Sequence, residues 1–485
     1  MHRETAEGAA AGRPAAGVPS TSKGPVESHR LSRWNKLLYG VGDTGFSLTS
    51  TIIGAYFAIF LTDVVGVLPR VAAAAIFVGR SWDYINDPII GHISDRTRTR
   101  WGRRRPFLLF GFLPYAIAFT MMWWRPPLQG DLALAIYYAV AYVFYDAAAT
   151  FVYMPYFALT PELTQDYDER TALTSYRMFF SIFASLVAFT VPLAIVGPFT
   201  PENAPRVLTM GAIFGLASAL PLLLTFFGTR ERKAYMDLEQ PRLLESLRAA
   251  LKNRPFVFGM GIFLLTWVAV DVIQATLLYF VKYGVEREAQ SDMIMGVIFV
   301  TAILVLPFWE WASRRWSKRW AYVAGIAFWA VVQIVLITLN PATGLPILLF
   351  LCVLAGIGVG AAHVLPWSII PDAIEWDEWR TGERHEGMFY SLITLMKKVA
   401  SSIAIPLALL LLDVTGYVPN AARQPASALL GIRVLAGPVP AALLCIGILF
   451  AIRYPLSREQ HAQVCQELEG RRGKYAEEEP LGLAL

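Results

Sequence analysis

Arg80-Ser81-Trp82-Asp83-Tyr84-Ile85-Asn86-Asp87-Pro88 sits inside a stretch, Val71 to Ile93, that otherwise has the apolar character of a membrane-spanning helix. A charged side chain at the centre of a bilayer costs about 2.5–3.5 kcal/mol on insertion scales, so it is rarely kept without a use. Arg80, Asp83 and Asp87 are three and then four residues apart, which places them on one helical face. Asn86 adds a neutral amide oxygen beside them. Clustered carboxylate and amide oxygens suit a hard cation such as Na⁺, or a proton. The stretch therefore points to an all-α membrane protein that couples an ion to the movement of a solute.

Composition agrees. Of 485 residues, 55% are hydrophobic and 16% are charged, against about 25% charged in soluble domains. The mean hydropathy is +0.47. The net charge of +5 would suggest nucleic acid in a soluble protein. Here the basic residues fall between apolar segments, where they set membrane orientation, so no nucleic-acid partner is expected. Cys352, Cys445 and Cys465 are widely spaced. They read as bland apolar or exposed thiols, with neither a metal-ligand spacing nor a disulfide framework. No metal is expected beyond the transported cation.

Apolar segments of spanning length are predicted near 37–62, 70–93, 106–124, 132–160, 173–197, 207–228, 256–282, 292–312, 320–339, 344–370, 387–412 and 428–453. Twelve helices satisfy their own backbone polar groups inside lipid. The predicted organisation is a disordered cytoplasmic tail (1–33), a six-helix bundle (34–228), a cytoplasmic linker (229–255), a second six-helix bundle (256–456) and a polar tail (457–485) that frays after a short helix.

Arg96, Arg98, Arg100, Arg103, Arg104 and Arg105 follow span two, and Arg314, Arg315, Lys318 and Arg319 follow span eight. The linker is basic as well. The positive-inside rule then puts both termini in the cytoplasm, with the plasma (inner) membrane as the expected location. The halves also echo each other. Pro161-Glu162 with Arg170-Thr171 is matched by Pro371-Asp372 with Arg380-Thr381, offset by 210 residues. A parallel repeat about an axis normal to the membrane would give this echo.

Several motifs carry a resemblance. Gly91-His-Ile-Ser-Asp95-Arg96 followed by Trp101-Gly102-Arg103-Arg104 resembles the major facilitator signature between spans two and three. Tyr39-Gly40, Thr62-Asp63-Val64, Trp82-Asp83-x-x-Asn86-Asp87-Pro88, Arg98-x-Arg100-Trp101-Gly102, Pro155-x-x-x-Leu159-Thr160-Pro161, Asp168-Glu169-Arg170 and the stretch Pro371 to Gly387 resemble the glycoside–pentoside–hexuronide cation symporters, the melibiose-permease-like branch of the major facilitator superfamily. The resemblance implies two pseudo-symmetric six-helix bundles and a cation site at Asp83, Asn86, Asp87 and Thr150. It also implies a coupling role for Lys398. The sugar-holding acids of that family do not match. Their places fall near Ser47 and at Tyr153, with Phe46 and Phe157 at the neighbouring positions. Asp43, one turn before Ser47, and Asp146, one turn before Thr150, are shifted candidates.

Other polar residues in apolar surroundings extend the substrate-site candidates to Arg177, Asp271 and Gln274. Arg177 reads equally well as reaching a substrate oxygen or as pairing with Asp168 or Glu169. Asp271 and Gln274 read as cavity lining, or else as an interhelical hydrogen bond. Arg80 is a second candidate for coupling. Asp95, Arg96, Arg103, Arg104 and Glu162 read as a cytoplasmic latch. Glu310 is expected to pair with Arg314 four residues on. Gly356-x-Gly358-x-Gly360 reads as close helix packing, and His363 as a hydrogen-bonded packing histidine. No phosphate-binding Gly-x-x-x-x-Gly-Lys-Ser/Thr loop, His-Glu-x-x-His motif or nucleophile elbow occurs, so neither ATP-driven transport nor a catalytic residue is expected, and no cofactor. The reading is a monomeric, cation-coupled symporter of a small organic solute, a sugar, glycoside or uronate, with Na⁺ or H⁺ as coupling ion. A sodium-dependent lysophospholipid symporter is the alternative, and an intramembrane enzyme the remote one.

Overall fold

The structure, a computed structural model, describes residues 31–164, 167–231, 250–382 and 386–478. Most of the predicted N-terminal tail and most of the predicted linker lie outside these residues. Among the described residues the regular structure is helical, with one isolated bridge between Thr99 and Gly102 in the loop after span two.

Twelve spans follow in order. Span one is built from Arg33–Gly40, Asp43–Ile52 and two π-helical segments, Ile53–Phe57 and Phe60–Val65. Span two is Pro69–Ser81 and Asp83–Arg96, interrupted at Trp82. Spans three to seven are Arg105–Met122, Asp131–Ala158, Tyr167–Val196, Ala204–Gly228 and Arg254–Tyr279, the last extended by Phe280–Gly284. Span eight, Ser291–Leu304 with Leu306–Trp316, bends by 40° at Val305. Spans nine to eleven are Lys318–Leu336, Leu345–Thr381 and Glu386–Val414, and span twelve is Ala426–Ala436 with Pro438–Ile452. A final helix, Arg458–Glu478, is longer than the short helix predicted there.

Nine of these spans, and the bent eighth as a tenth, are long and apolar enough to cross a membrane. Spans one and two are the two that fall short. Span one is broken beside Gly42, and span two carries Arg70, Arg80, Asp83 and Asp87 in two short pieces. Helix starts are capped as the residues dictate. Ser32 accepts from the Asn35 amide, Asn253 from Phe256 and Ser317 from Trp320. Gly66 at φ 93° ends span one in the left-handed region, where a Cβ is disfavoured. Span ten runs eleven residues beyond the predicted 370, because an apolar window ends at the lipid boundary while the helix continues into Pro371–Thr381.

The bundles meet along one half of their length. Pro69–Ser81 of span two packs on span eleven, Ile53–Phe57 of span one on span seven, and Ser291–Leu304 of span eight on span five. Phe189 of span five stacks on Phe299 of span eight, ring centroids 3.7 Å apart. Toward the face carrying the basic loops the partners change. Asp83–Arg96 packs on span four, Asp43–Ile52 on spans five and six, and Leu306–Trp316 on spans nine and ten. The two bundles therefore join on the opposite face and diverge toward the basic face. Within the second bundle the glycine run of span ten permits the close packing predicted for it. A Cβ on Gly358 would run into the Trp329 ring, and one on Gly360 would meet Val305 Cγ2 at 2.6 Å.

Candidate ion site and its flanking gates

Span two is interrupted where its charges sit. Asp83 opens the segment Asp83–Arg96, and Pro88 lies inside that segment. Asp83 and Asp87 face spans four and eleven together. Lys398 of span eleven donates to both, 2.9 Å from Asp83 and 2.6 Å from Asp87. The Thr150 hydroxyl of span four lies 3.4 Å from Asp83 and 3.3 Å from Asp87. Asn86 is buried and donates to the Asp146 carbonyl at 3.4 Å. Asp83, Asn86, Asp87, Thr150 and Lys398 thus come together from three helices and both bundles. Asp146 lies alongside, its Oδ2 buried without a hydrogen-bond partner.

Arg80 does not form an ion pair with those carboxylates. Its guanidinium donates to the Tyr142 hydroxyl at 3.0 Å and to the Ser401 carbonyl at 3.1 Å. Ser401 in turn donates to Asp271. Gln274 donates across the bundles to the Thr51 carbonyl at 3.1 Å. Asp271 and Gln274 therefore make interhelical hydrogen bonds in this conformation. Lys397 points away from Lys398 and sits 3.6 Å above the Trp267 ring. His363 bonds the Val359 carbonyl at 2.8 Å and packs edge-on to Trp267.

A second polar group lies in the first bundle, nearer the basic face. Arg177 approaches buried Asp43 to 3.5 Å and stands 4.6 Å over the Phe157 ring. Asp43 takes the place of Glu169 in the pairing that was one of the two readings of Arg177. Glu169 is taken by Lys36 at 2.9 Å and by the Leu31 amide, and the Asp168 side chain lies outside the described residues. Phe46 packs edge-on to Tyr153 and Phe157, and Ser47 bonds Ser181 of span five. Asp43, Ser47, Tyr153, Phe157 and Arg177 so form one cluster, apart from Asp271 and Gln274.

On the basic face Glu162 is buried, with Arg103 at 2.7 Å and Arg104 at 3.1 Å. Arg104 also reaches Asp95 and Ser94. Glu231 accepts the backbone amides of Arg103, Arg104 and Arg105 at 2.6, 2.8 and 2.8 Å. Arg96, grouped with this latch on sequence, is exposed and stands apart. In the second bundle Lys318 pairs with Asp372, the repeat partner of Glu162. The exposed pair of Glu310 and Arg314 forms at 2.6 Å.

On the opposite face the bundles are clamped through Asp63, which is fully buried. It accepts from Lys282 at 2.7 Å and from the hydroxyls of Tyr283, Tyr417 and its neighbour Thr62. Lys282 also bonds the Phe199 carbonyl at 2.8 Å. No role was assigned to Asp63 from sequence. The argument that singled out Asp83 applied equally to Thr62-Asp63, but Lys282 and Tyr417 lie in the other half of the chain.

Cys352 is buried and Cys445 exposed, as expected. Cys465 is neither of the two bland states. Its thiol lies 3.4 Å from Glu375 and 3.6 Å from His461, and His461 lies 2.6 Å from Glu375. The hydrogen bond to Glu375 pushes His461 above its ordinary value. The sequence signal was His461-x-x-x-Cys465, a one-turn spacing that only a helix makes adjacent.

Residues 38–458 match the family described as MFS/sugar transport protein. The chain belongs to that family. It is a multi-pass membrane protein, and transporters are its relatives. An uncharacterized symporter of Synechocystis sp. is 32% identical, with 92% of this chain and 98% of that protein covered. The sodium-dependent lysophosphatidylcholine symporter 1-A of Danio rerio is 28% identical, with 90% and 88% covered. Among solved structures, a D-xylose-proton symporter superposes with a TM-score of 0.61 at 15% identity, covering 87% of this chain and 97% of that one. A likeness at that identity speaks for the fold, the twelve-helix major facilitator architecture.

Proposed function

We propose that this chain is a cation-coupled symporter of a small organic solute, working by alternating access. The observation that carries the reading is Lys398 of the second bundle held between Asp83 and Asp87 of the first, beneath Thr150. Two carboxylates and one ammonium leave one negative charge. A monovalent cation in the cradle of Asp83, Asn86, Asp87 and Thr150 neutralises it, and competes with Lys398 for the same oxygens. Releasing the lysine loosens the tie between bundles, which is the coupling that linkage demands. The Thr150 hydroxyl and the sodium-dependent relative favour Na⁺ over H⁺.

The basic face is the cytoplasmic side on the positive-inside rule, and the divergence of the bundles toward it makes this the inward-facing conformation. Residues 34–228 and 256–456 are the rocking units, joined by 229–255, in a monomer of the plasma membrane. Within the family, the second-span motif supports a place among the glycoside–pentoside–hexuronide cation symporters.

Substrate binds at the mouth of the first bundle, against Asp43, Arg177 and the Phe46–Tyr153–Phe157 aromatic group. An ion pair beside an aromatic platform suits a sugar, glycoside or uronate. Phe46, exposed toward this mouth, together with the lysophosphatidylcholine symporter among the relatives, supports the second reading, a lysophospholipid. Uptake into liposomes under imposed Na⁺ or pH gradients tests the ion site. Asp83→Cys and Asp87→Cys should each abolish concentrative uptake while exchange survives. Concentrative uptake persisting in both variants removes the reading. A thermal-shift series of sugars, uronates and lysolipids, with and without Na⁺, separates the substrates.

A further inference from the structure

Glu375, His461 and Cys465 lie on the basic face, remote from the cation cradle, and the transport reading uses none of them. Each offers one ligand atom, and these atoms lie within 4.8 Å of one another. They come from two elements. Glu375 is on the extension of span ten, while His461 and Cys465 project from the same side of the helix Arg458–Glu478. Asp372 Oδ1 lies 3.5 Å from His461 Nε2, so a fourth oxygen is in reach.

We propose that Glu375 Oε2, His461 Nε2 and Cys465 Sγ form a binding site for a Zn²⁺-class divalent cation that pins the C-terminal helix to span ten. The donor set decides the ion. Thiolate, imidazole and carboxylate together are a borderline-soft set that zinc takes tetrahedrally, with Asp372 or water as the fourth ligand. Hard Ca²⁺ and Mg²⁺ want oxygens alone. Tetrahedral zinc bonds of about 2.0–2.3 Å put ligand atoms about 3.3–3.8 Å apart. The sulfur distances of 3.4 and 3.6 Å already fit, and only the His461–Glu375 hydrogen bond must open as its proton leaves. The docking surface stands without the ion. Trp379 Nε1 donates to Glu467 of the same helix at 2.6 Å, so binding fastens an existing contact. His461 also neighbours the Asp372 carboxylate that holds Lys318, so occupancy alters the charge around that latch.

The test uses the full chain in detergent, stripped with chelator and titrated with Zn²⁺, then with Co²⁺ as the spectroscopic probe. One ion per chain should bind, and Co²⁺ should show tetrahedral bands with a thiolate charge-transfer band. Cys465→Ser should abolish the charge-transfer band, and His461→Gln should weaken binding at least about 100-fold, the upper end of what losing even an outer-sphere partner costs. Both variants change partly buried side chains to polar ones of similar size and should melt near the wild type. The helix should resist trypsin more with Zn²⁺ than with chelator, and this protection should vanish in both variants. No stoichiometric binding, a Co²⁺ spectrum unchanged by Cys465→Ser, or protection indifferent to Zn²⁺ would each overturn the proposal, leaving a histidine hydrogen-bonded between two carboxylates.

Discussion

Lys398 Nζ lies 2.6 Å from Asp87 Oδ2, across the boundary between the bundles, nearer than the 3.3 Å between that aspartate and Thr150 of its own bundle. On the proposed mechanism the lysine is a tethered competitor for the coupling ion. Lys398→Gln removes the ammonium and leaves a neutral polar side chain one atom shorter. The expected outcome is sodium binding at least about tenfold tighter, roughly 1.4 kcal/mol, with concentrative uptake lost because the ion no longer displaces anything. Sodium titration by tryptophan fluorescence, beside liposome uptake, reads both. Wild-type values for the two would count against the tethered-competitor role.

Asp63 ties the bundles on the face away from the basic loops. Asp63→Asn keeps the shape and leaves Lys282 without its main counter-charge in a buried place. Removing one partner of a buried pair costs about 3–5 kcal/mol. That cost falls on the conformation with this face closed. The equilibrium should move toward opening there, seen as faster labelling of a cysteine placed beside Tyr417. Unchanged labelling would mean that the clamp does not hold the closed state.

The two latches on the basic face should differ in weight. Glu162 and both its arginines are buried, whereas the Lys318 side chain is 37% exposed. Glu162→Gln removes the buried carboxylate that Arg103 and Arg104 share, at a cost of about 3–5 kcal/mol. Asp372 is buried, but Lys318 can turn to water when the carboxylate is lost, so Asp372→Asn should cost less, about 1 kcal/mol. Melting temperatures in detergent should drop far more for the first. Equal drops would contradict the burial argument.

Glycine contacts predict an opposite-sign pair. Gly→Ala inside a helix ordinarily stabilises by about 0.5–1 kcal/mol. A Cβ on Gly45 would overlap the Ser218 carbonyl, which is backbone and cannot give way, whereas one on Gly296 meets only Thr190 Cγ2 at 3.6 Å. Gly45→Ala should lower the melting temperature by separating spans one and six. Gly296→Ala should leave it unchanged or raise it. A stable Gly45→Ala protein would refute the close crossing.

The spans were legible because lipid imposes one rule on every helix, and hydropathy reads that rule directly. Asp83, Asn86 and Asp87 were legible for the same reason, as violations of it. The echo of Glu162 in Asp372 also held, since each receives a cation from a basic loop. What resisted reading were partners fixed by tertiary packing. Asp43 with Arg177, Asp63 with Lys282 and Glu375 with His461 are each separated by many helices or turns of chain, and nothing local marks the match. The break at Trp82 was likewise hidden, and Arg80, just before it, bonds Tyr142 and Ser401 instead of the aspartates its spacing suggested.

The shortfall in apolar length of spans one and two bears on biogenesis. This hairpin leaves the ribosome before the other ten spans, yet it is the poorest substrate for the translocon. Arg80, Asp83 and Asp87 each carry an insertion penalty of about 2.5–3.5 kcal/mol. Tyr142 and Thr150 emerge only with span four, and Lys398 some 300 residues after Asp83. The second helix must therefore wait at the protein–lipid boundary, sheltered by the insertion machinery, and settle into its final depth only when translation is nearly complete.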